Sequence, residues 1–382
     1  MNAIRNVLDV RIPSLISFLK KENYTIYIRG NHTYFLEHLR ENLSLSLEEC
    51  ASQVTAAEST HAVKQWIATR SNNFFVWIYY YEPHRPYAPP APHNNLFSYA
   101  DTGNIPVGES DSYYFDGWDA IPPSIVQNNI RNPQYYISQY DGAIHCADTL
   151  IGEIIATLKE KNLFDDCLIL LLADHGESLG EHHLFFNHTW TFFNEIIKIP
   201  LLIKWPHQTK FRVIHSPASL IDIFPTIARA IRTKIPFKLN GKPLQLNNND
   251  SRQLLCYNIA IGTCIIAPPW KLVRYNLHDR YTHKACLYFS PEVQQNNNQL
   301  LNLVQDPEEL VNLTSQHPAQ AHHLMNQLES FETQLKAHAF PSHKRPVPSA
   351  DMQKTLKSRI RTIDTAALRP RIHTLCIPRC SC

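Results

Sequence analysis

No stretch of this 382-residue sequence approaches the ~18–20 uncharged apolar residues that a membrane-crossing helix requires. The longest apolar run, CLILLLA at 167–173, has the length of a strand. Charge of one sign is also lacking: 36 Lys and Arg stand against 34 Asp and Glu, a formal net charge of +2. That balance gives no electrostatic footprint for nucleic acid or an acidic membrane surface. C-x-x-C pairs are missing, and nine cysteines scattered over a chain this long do not make a disulfide framework. They read as small buried residues. The opening MNAIRNVLDVRIPSLISFLKKENY has no basic segment followed by a long apolar core and a small-residue cleavage site. As written, the chain is therefore expected to be cytoplasmic or to lack its natural beginning. Sequons at Asn23 and Asn312 carry meaning only in a glycosylating compartment, and there is no internal repeat.

What is present suits a large core. The chain is 44% hydrophobic and 18% charged, and its length favours one large domain with an appendage, or two domains. PSLISFLKKENY carries apolar residues at helical spacing, and TIYIR is a short β-rich run. FFVWIYYYEPHRPYAPPAP is an aromatic, β-branched strand stopped by prolines. The aperiodic stretch over 91–130 then predicts a long excursion over the active face. YYISQYDGAIHCADTLIGEIIATLKEKNLF predicts a helix whose buried stripe holds Tyr140, Ile144, Ile151, Ile154, Ile155 and Leu158. CLILLLADHGE does not alternate and so predicts a fully buried parallel strand, as does IPLLIKWP. SLIDIFPTIARAI predicts an amphipathic helix broken or kinked at Pro225. This alternation is that of an α/β protein with a doubly wound sheet. After about residue 245 the pattern changes to short strands, LLCYNIAI, WKLVRYN and ACLYFS, and a helix near 316–338. Residues 339–382 are basic, contain prolines and lack periodicity, and are expected to form a poorly ordered tail.

In an open α/β sheet, ligands bind beyond the carboxyl ends of the strands. DHGE follows such a strand. Asp174 and His175 offer an oxygen and an imidazole nitrogen to one divalent cation, Gly176 would let the backbone turn sharply, and Glu177 would orient His175 from behind. The plainer alternative is a polar helix cap with Asp174 as the capping residue. His84 in EPHRPY, His188 in FFNHTW, and His182 and His183 are catalytic candidates or structural hydrogen-bonders. Arg85 would clamp an anionic oxygen with its fork or would lie on the surface.

Taken in order, YYYEPHRPYAPP, the helix leading into DHGESLGEHH, IKIPLLIKWP and SLIDIFPTIARAI resemble the sulfatase family of the alkaline-phosphatase-like superfamily over roughly residues 12–245. KLVRYN and LLNLVQDPEELVNLT extend the resemblance. It implies a three-layer α/β/α sandwich with a small C-terminal α+β subdomain: a sulfatase-like domain at 1–245, the subdomain at 246–338 and the tail at 339–382. It further implies Asp174 and His175 as metal ligands and His84 and His188 as catalytic groups at the transferred group; Arg85 is the substrate-binding candidate on the strength of its own fork. Calcium is the cation the family suggests first, with manganese or zinc as alternatives. The substrate would be a small-molecule or glycan sulfate ester; no oligomeric state follows. His188 stands where many sulfatases place a lysine, which resembles the branch acting on phospho- and phosphonate esters, including phosphoethanolamine transferases. The family's opening strand with paired aspartates and its C-x-P-S-R or S-x-P-S-R nucleophile motif do not appear. CIPR at Cys376 lacks the serine. The expectation is an N-terminally truncated chain with half an active site: a hydrolase, or a non-catalytic remnant or binding module.

Overall fold

The computed structural model describes residues 13–108, 117–244, 252–258, 261–276, 293 and 297–337. The chain divides into two compact units, one ending at Arg252 and a second that takes the remainder together with Thr189–Phe192. Among the described residues no helix is long and apolar enough to cross a membrane.

The first unit opens with α1 (Leu15–Lys21), β1 (Thr25–Gly30), α2 (Thr33–Asn42), β2 (Cys50–Ser52), α3 (Ala56–Ala68) and β3 (Phe74–Tyr79). Local chemistry sets the helix starts: Ser14 with Ser17, and Thr55 with Glu58, form reciprocal capping boxes that satisfy orphan amides of the first turn. β1 lies between β2 and β3 and pairs with both in parallel, in the register Ile28↔Cys50 and Ile28↔Trp77. Its residues are buried on both faces. Ile26 and Ile28 join Phe18 and Leu19 of α1 and Leu36 of α2 in one cluster, while Tyr27 joins Val63 and Ile67 of α3 in another. Each fully buried aliphatic side chain contributes about 1.5–3 kcal/mol.

α4 (Pro133–Glu160) starts at the Asn132 cap, with proline where a missing amide costs nothing. Its buried stripe runs through Tyr136, Ala143, Cys146, Leu150, Ile154 and Leu158, and Ile144, expected inside, is 45% exposed. Small residues move the stripe. A Cβ on Gly142 would come within 2.5 Å of the His93 carbonyl, so a 3-10 turn at His93–Asn95 lies directly on this helix. The 91–130 excursion is ordered where it is described. Ile105, Ile121 and Ile125 cluster with Tyr87, Tyr136 and Phe186.

β4 (Ile169–Leu172), β5 (Ser178–Leu179), β6 (Phe185–Asn187), α5 (Asn194–Ile197), β7 (Leu201–Lys204) and α6 (Ile223–Ala230) complete this unit. The two apolar strands expected to be buried and parallel pair with each other in antiparallel register, Ile169↔Lys204 to Leu172↔Leu201. Leu171 and Leu172 are each 36% exposed. The unbroken apolar run has a different cause: Leu168 and Leu170 face the α1 cluster, and Cys167 and Ile169 face the α3–α4 cluster. Both faces of the strand layer are thus apolar whichever way a partner runs. Nor is α6 kinked at Pro225, which is its third residue, a first-turn position where no intrahelical bond is lost.

The second unit is an antiparallel sheet in the order β11-β10-β9-β8: β8 (Leu254–Asn258), β9 (Gly262–Ala267), β10 (Trp270–Tyr275) and β11 (Asn298–Asn302). α7 (Pro318–Ala337) covers one face through Leu324 and Leu328 against Ile265, Leu272 and Leu300. The strand expected at ACLYFS, the 245/246 boundary and the tail at 339–382 lie outside the described residues.

At the entry to α6, the fully buried Asp222 carboxylate accepts from the backbone amides of Ser219 and Lys242, 2.8 Å each, and from both terminal nitrogens of Arg252. Removing one partner of such a pair strands the other charge. Asp222→Ala is therefore expected to lower unfolding stability by about 3–5 kcal/mol. Urea titration reads this directly, and a loss below about 1 kcal/mol would contradict it.

Candidate active site

Three segments deliver histidines to one place. β3 runs into Tyr80-Tyr81-Glu82-Pro83-His84-Arg85, β4 into Asp174-His175-Gly176-Glu177, and β6 into Asn187-His188. The His175 and His188 rings stack at 4.0 Å between centroids, and His84 meets His188 edge-on at 5.2 Å. Tyr81 stacks on His84 at 4.5 Å and touches His32 at 4.6 Å, so an aromatic wall continues to the end of β1.

The DHG turn is not a helix cap; residues 173–177 are irregular. The backbone amide of His175 donates to Asp174 Oδ1, 3.0 Å. Gly176 acts here by clearance: a Cβ there would lie 2.0 Å from the Glu195 carbonyl oxygen, while its amide donates to the Ile196 carbonyl at 2.7 Å. A substituent would push the turn off α5. His175 Nδ1 sits 2.8 Å from the Gly176 carbonyl. A donor at Nδ1 leaves Nε2 as the lone-pair nitrogen, and that atom is 3.8 Å from Asp174 Oδ1.

Glu177 does not orient His175. Its two carboxylate oxygens lie 3.2 and 3.4 Å from His188 Nδ1, with both residues buried. The reason is backbone direction: His175 closes onto its own neighbour's carbonyl, and Glu177, two residues on, turns to β6. Burial pushes the Glu177 carboxyl up to about 7, against the opposing pull of His175, Arg85 and the Tyr87 hydroxyl. Burial holds the His188 imidazole well below the ordinary histidine range, and His175 and Arg85 push the same way. The pair is a neutral imidazole hydrogen-bonded to a carboxyl that gives up its proton reluctantly.

His84 donates through Nδ1 to the Arg85 carbonyl at 2.6 Å. Arg85, expected to clamp substrate, is buried and donates from Nη1 to the Phe186 carbonyl at 3.3 Å. His182 and His183 stand apart from the trio. The first stacks on Phe193 at 3.5 Å with Nδ1 2.9 Å from Glu195, and the second pairs with Asp119 at 2.8 Å. Sequence reasoning missed Asn31 and Tyr81. Asn31 Oδ1 accepts from the Tyr81 amide at 3.0 Å, and its Nδ2 donates to Glu82 at 2.7 Å, tying the ends of β1 and β3 together. The signal was available in RGNH, an Asn-His pair directly after a strand.

For a divalent cation, Asp174 Oδ1 and His175 Nε2 fit as two donors. Among the described residues no group of three or more His, Cys, Asp or Glu is arranged to hold an ion. The set is partial.

A family model described as Sulfatase matches residues 10–232. The multifunctional alkaline phosphatase superfamily protein PehA of Trinickia caryophylli is 26% identical over 282 residues, covering 63% of this chain and 51% of that protein. Arylsulfatase K of Xenopus laevis is 28% identical over 195 residues, covering 48% and 34%. These matches span about half and about a third of the relatives' lengths. Among solved structures, the phosphonate monoester hydrolase of Agrobacterium radiobacter aligns with a TM-score of 0.62 at 18% identity, over 86% of this chain and 82% of that one. BT4656 in complex with its substrate D-glucosamine-2-N,6-O-disulfate aligns with a TM-score of 0.61 at 16% identity, over 89% and 85%. At these identities the structures show a shared fold, the α/β sandwich of the sulfatase and alkaline-phosphatase-like hydrolases.

The raised Glu177 pKa has a sign that can be tested. Between the unfolded value near 4.5 and about 7, the folded chain holds this proton more tightly than the unfolded chain does. Its stabilising contribution is thus fully present at low pH and is lost as pH rises through that window. Glu177→Gln removes the dependence, so its stability relative to the parent should rise by ~1–3 kcal/mol from pH 5 to pH 7.5. Denaturant midpoints across pH measure this. A difference independent of pH would show that the carboxyl is not so perturbed.

Proposed function

The chain belongs to the sulfatase family, and from that footing we propose that it acts as a sulfuric ester hydrolase on a small-molecule or glycan sulfate, with His84, His175 and His188 around the transferred group. The observation that carries this reading is the convergence of three imidazoles from three strand ends, two of them stacked at 4.0 Å, with an acid beside one of them. His188, neutral and tied through Nδ1 to Glu177, offers Nε2 for a proton exchanged with the leaving or attacking oxygen. His84, anchored through Nδ1 to the Arg85 carbonyl, is the proposed contact for an ester or sulfuryl oxygen. The attacking group is not one of these residues.

Asp174 and His175 are proposed as two ligands of a divalent cation, which when bound supplies Lewis-acid polarisation of the ester oxygens. Two donors alone do not complete such a site. An imidazole donor suits manganese or zinc better than calcium, which prefers an all-oxygen shell. A second reading, hydrolysis of phosphate or phosphonate monoesters, is favoured by one observation: position 188 is a histidine where many sulfatases carry a lysine. The name of the Trinickia relative, a multifunctional alkaline phosphatase superfamily protein, supports it.

The test is turnover of an aryl sulfate and an aryl phosphonate by the purified chain with calcium, manganese or zinc added. Preference for the sulfate is expected, and His188→Ala should lower kcat/KM by about 10²–10⁴-fold. Preference for the phosphonate would select the second reading. Failure to turn over either ester with any of the three ions would leave a binding module.

A further inference from the structure

Five described cysteines are free thiols, and two of them, Cys256 and Cys264, face each other. They are a register pair of the antiparallel β8–β9 ladder, flanked by Leu254↔Ile266 and Asn258↔Gly262. Residues directly opposed in such a ladder have Cα atoms about 4.5 or 5.5 Å apart, depending on the hydrogen-bonding phase. Both values fall within the ~4.4–6.8 Å that a disulfide spans. As direct cross-strand partners, the two residues present their side chains on the same face of the ladder.

The surroundings make the two unequal. β8 is the edge strand of its sheet, and Cys256 on it is half-buried between exposed Leu255 and Tyr257; Cys264 on β9 is fully buried. On β10, Lys271 is buried in an ion pair with Glu309, at 0% and 1% side-chain exposure. The neighbouring Cys264 thiol and the Lys271 charge favour a thiolate at Cys256 against the upward push of its own burial, whereas burial raises the Cys264 thiol well above the ordinary range. A thiol on the edge strand directly opposite a fully buried one on the interior strand is the arrangement of an attacking and a resolving cysteine.

We propose that Cys256 and Cys264 form a redox modification site that takes low-molecular-weight disulfides such as glutathione disulfide and ends as a cross-strand disulfide. In the first step the Cys256 thiolate attacks one glutathione sulfur, the glutathione S–S bond breaks, and glutathione leaves as thiolate. In the second, Cys264 gives its proton to that departing thiolate and displaces the bound glutathione from Cys256. Two protein thiols are oxidised by two electrons, and one glutathione disulfide is reduced to two glutathione thiols. The product staples the edge strand of the second unit to its neighbour. None of this depends on the hydrolytic reading of the first unit.

The experiment uses the full chain, first reduced and then incubated with glutathione disulfide, with remaining thiols blocked by iodoacetamide before intact mass and peptide mapping. The expected result is loss of two hydrogens at a Cys256–Cys264 cross-link that dithiothreitol reverses, and accumulation of a glutathione adduct on Cys256 in Cys264→Ser. Alkylation of both cysteines as separate thiols after oxidation would overturn the proposal, and so would cross-links or adducts confined to other cysteines. The mapping of the unsubstituted chain decides the matter even if Cys264→Ser does not fold.

Discussion

Burial of both faces of the strand layer is the constraint on which the first unit rests. β1, β3 and β4 each send alternate side chains into two separate clusters, one built with α1, α2 and α6 and the other with α3 and α4. Strands held from both sides have little freedom to shift, since a slip of one residue would exchange the two sets of contacts. Their carboxyl ends are fixed in consequence, and those ends carry His84 and the Asp174-His175 turn. Two of the three histidines are thus carried by the ends of this layer, and the third comes from the β5–β6 hairpin.

Much of this was legible in the sequence because it is local. The helical spacing of PSLISFLKKENY announces α1, the apolar stripe ending at Leu158 announces α4, and the β-branched and aromatic runs of β1 and β3 end where Gly30 and the prolines say they should. The motif order led to the fold, which the solved relatives share. Other features depend on partners distant in sequence. An apolar run such as 167–173 reports how many of its faces are buried and not which way its neighbour runs, so the antiparallel pairing with β7 could not be inferred. The outward placement of Ile144 depends on a 3-10 turn fifty residues upstream.

The candidate site was legible as a composition and not as a set of partnerships. DHGE, EPHRPY and FFNHTW supplied the histidines that the structure brings together. Which group holds which imidazole was decided by backbone direction: a neighbour's carbonyl holds His84 and His175, while a carboxyl eleven residues away holds His188. Arg85 shows the same limit. Its fork suits an anion, and the fold buries it with Nη1 on the Phe186 carbonyl.

The carboxylate of Asp222 gathers amides from either side of α6 and closes on Arg252, the last residue of the first unit. That position makes it a mechanical anchor as well as an electrostatic one. Positions thirty residues apart, the entry to α6 and the end of the first unit, are held together by one guanidinium on one carboxylate. Because the same carboxylate also holds the Ser219 and Lys242 amides, loss of that one side chain would release three chain segments at once.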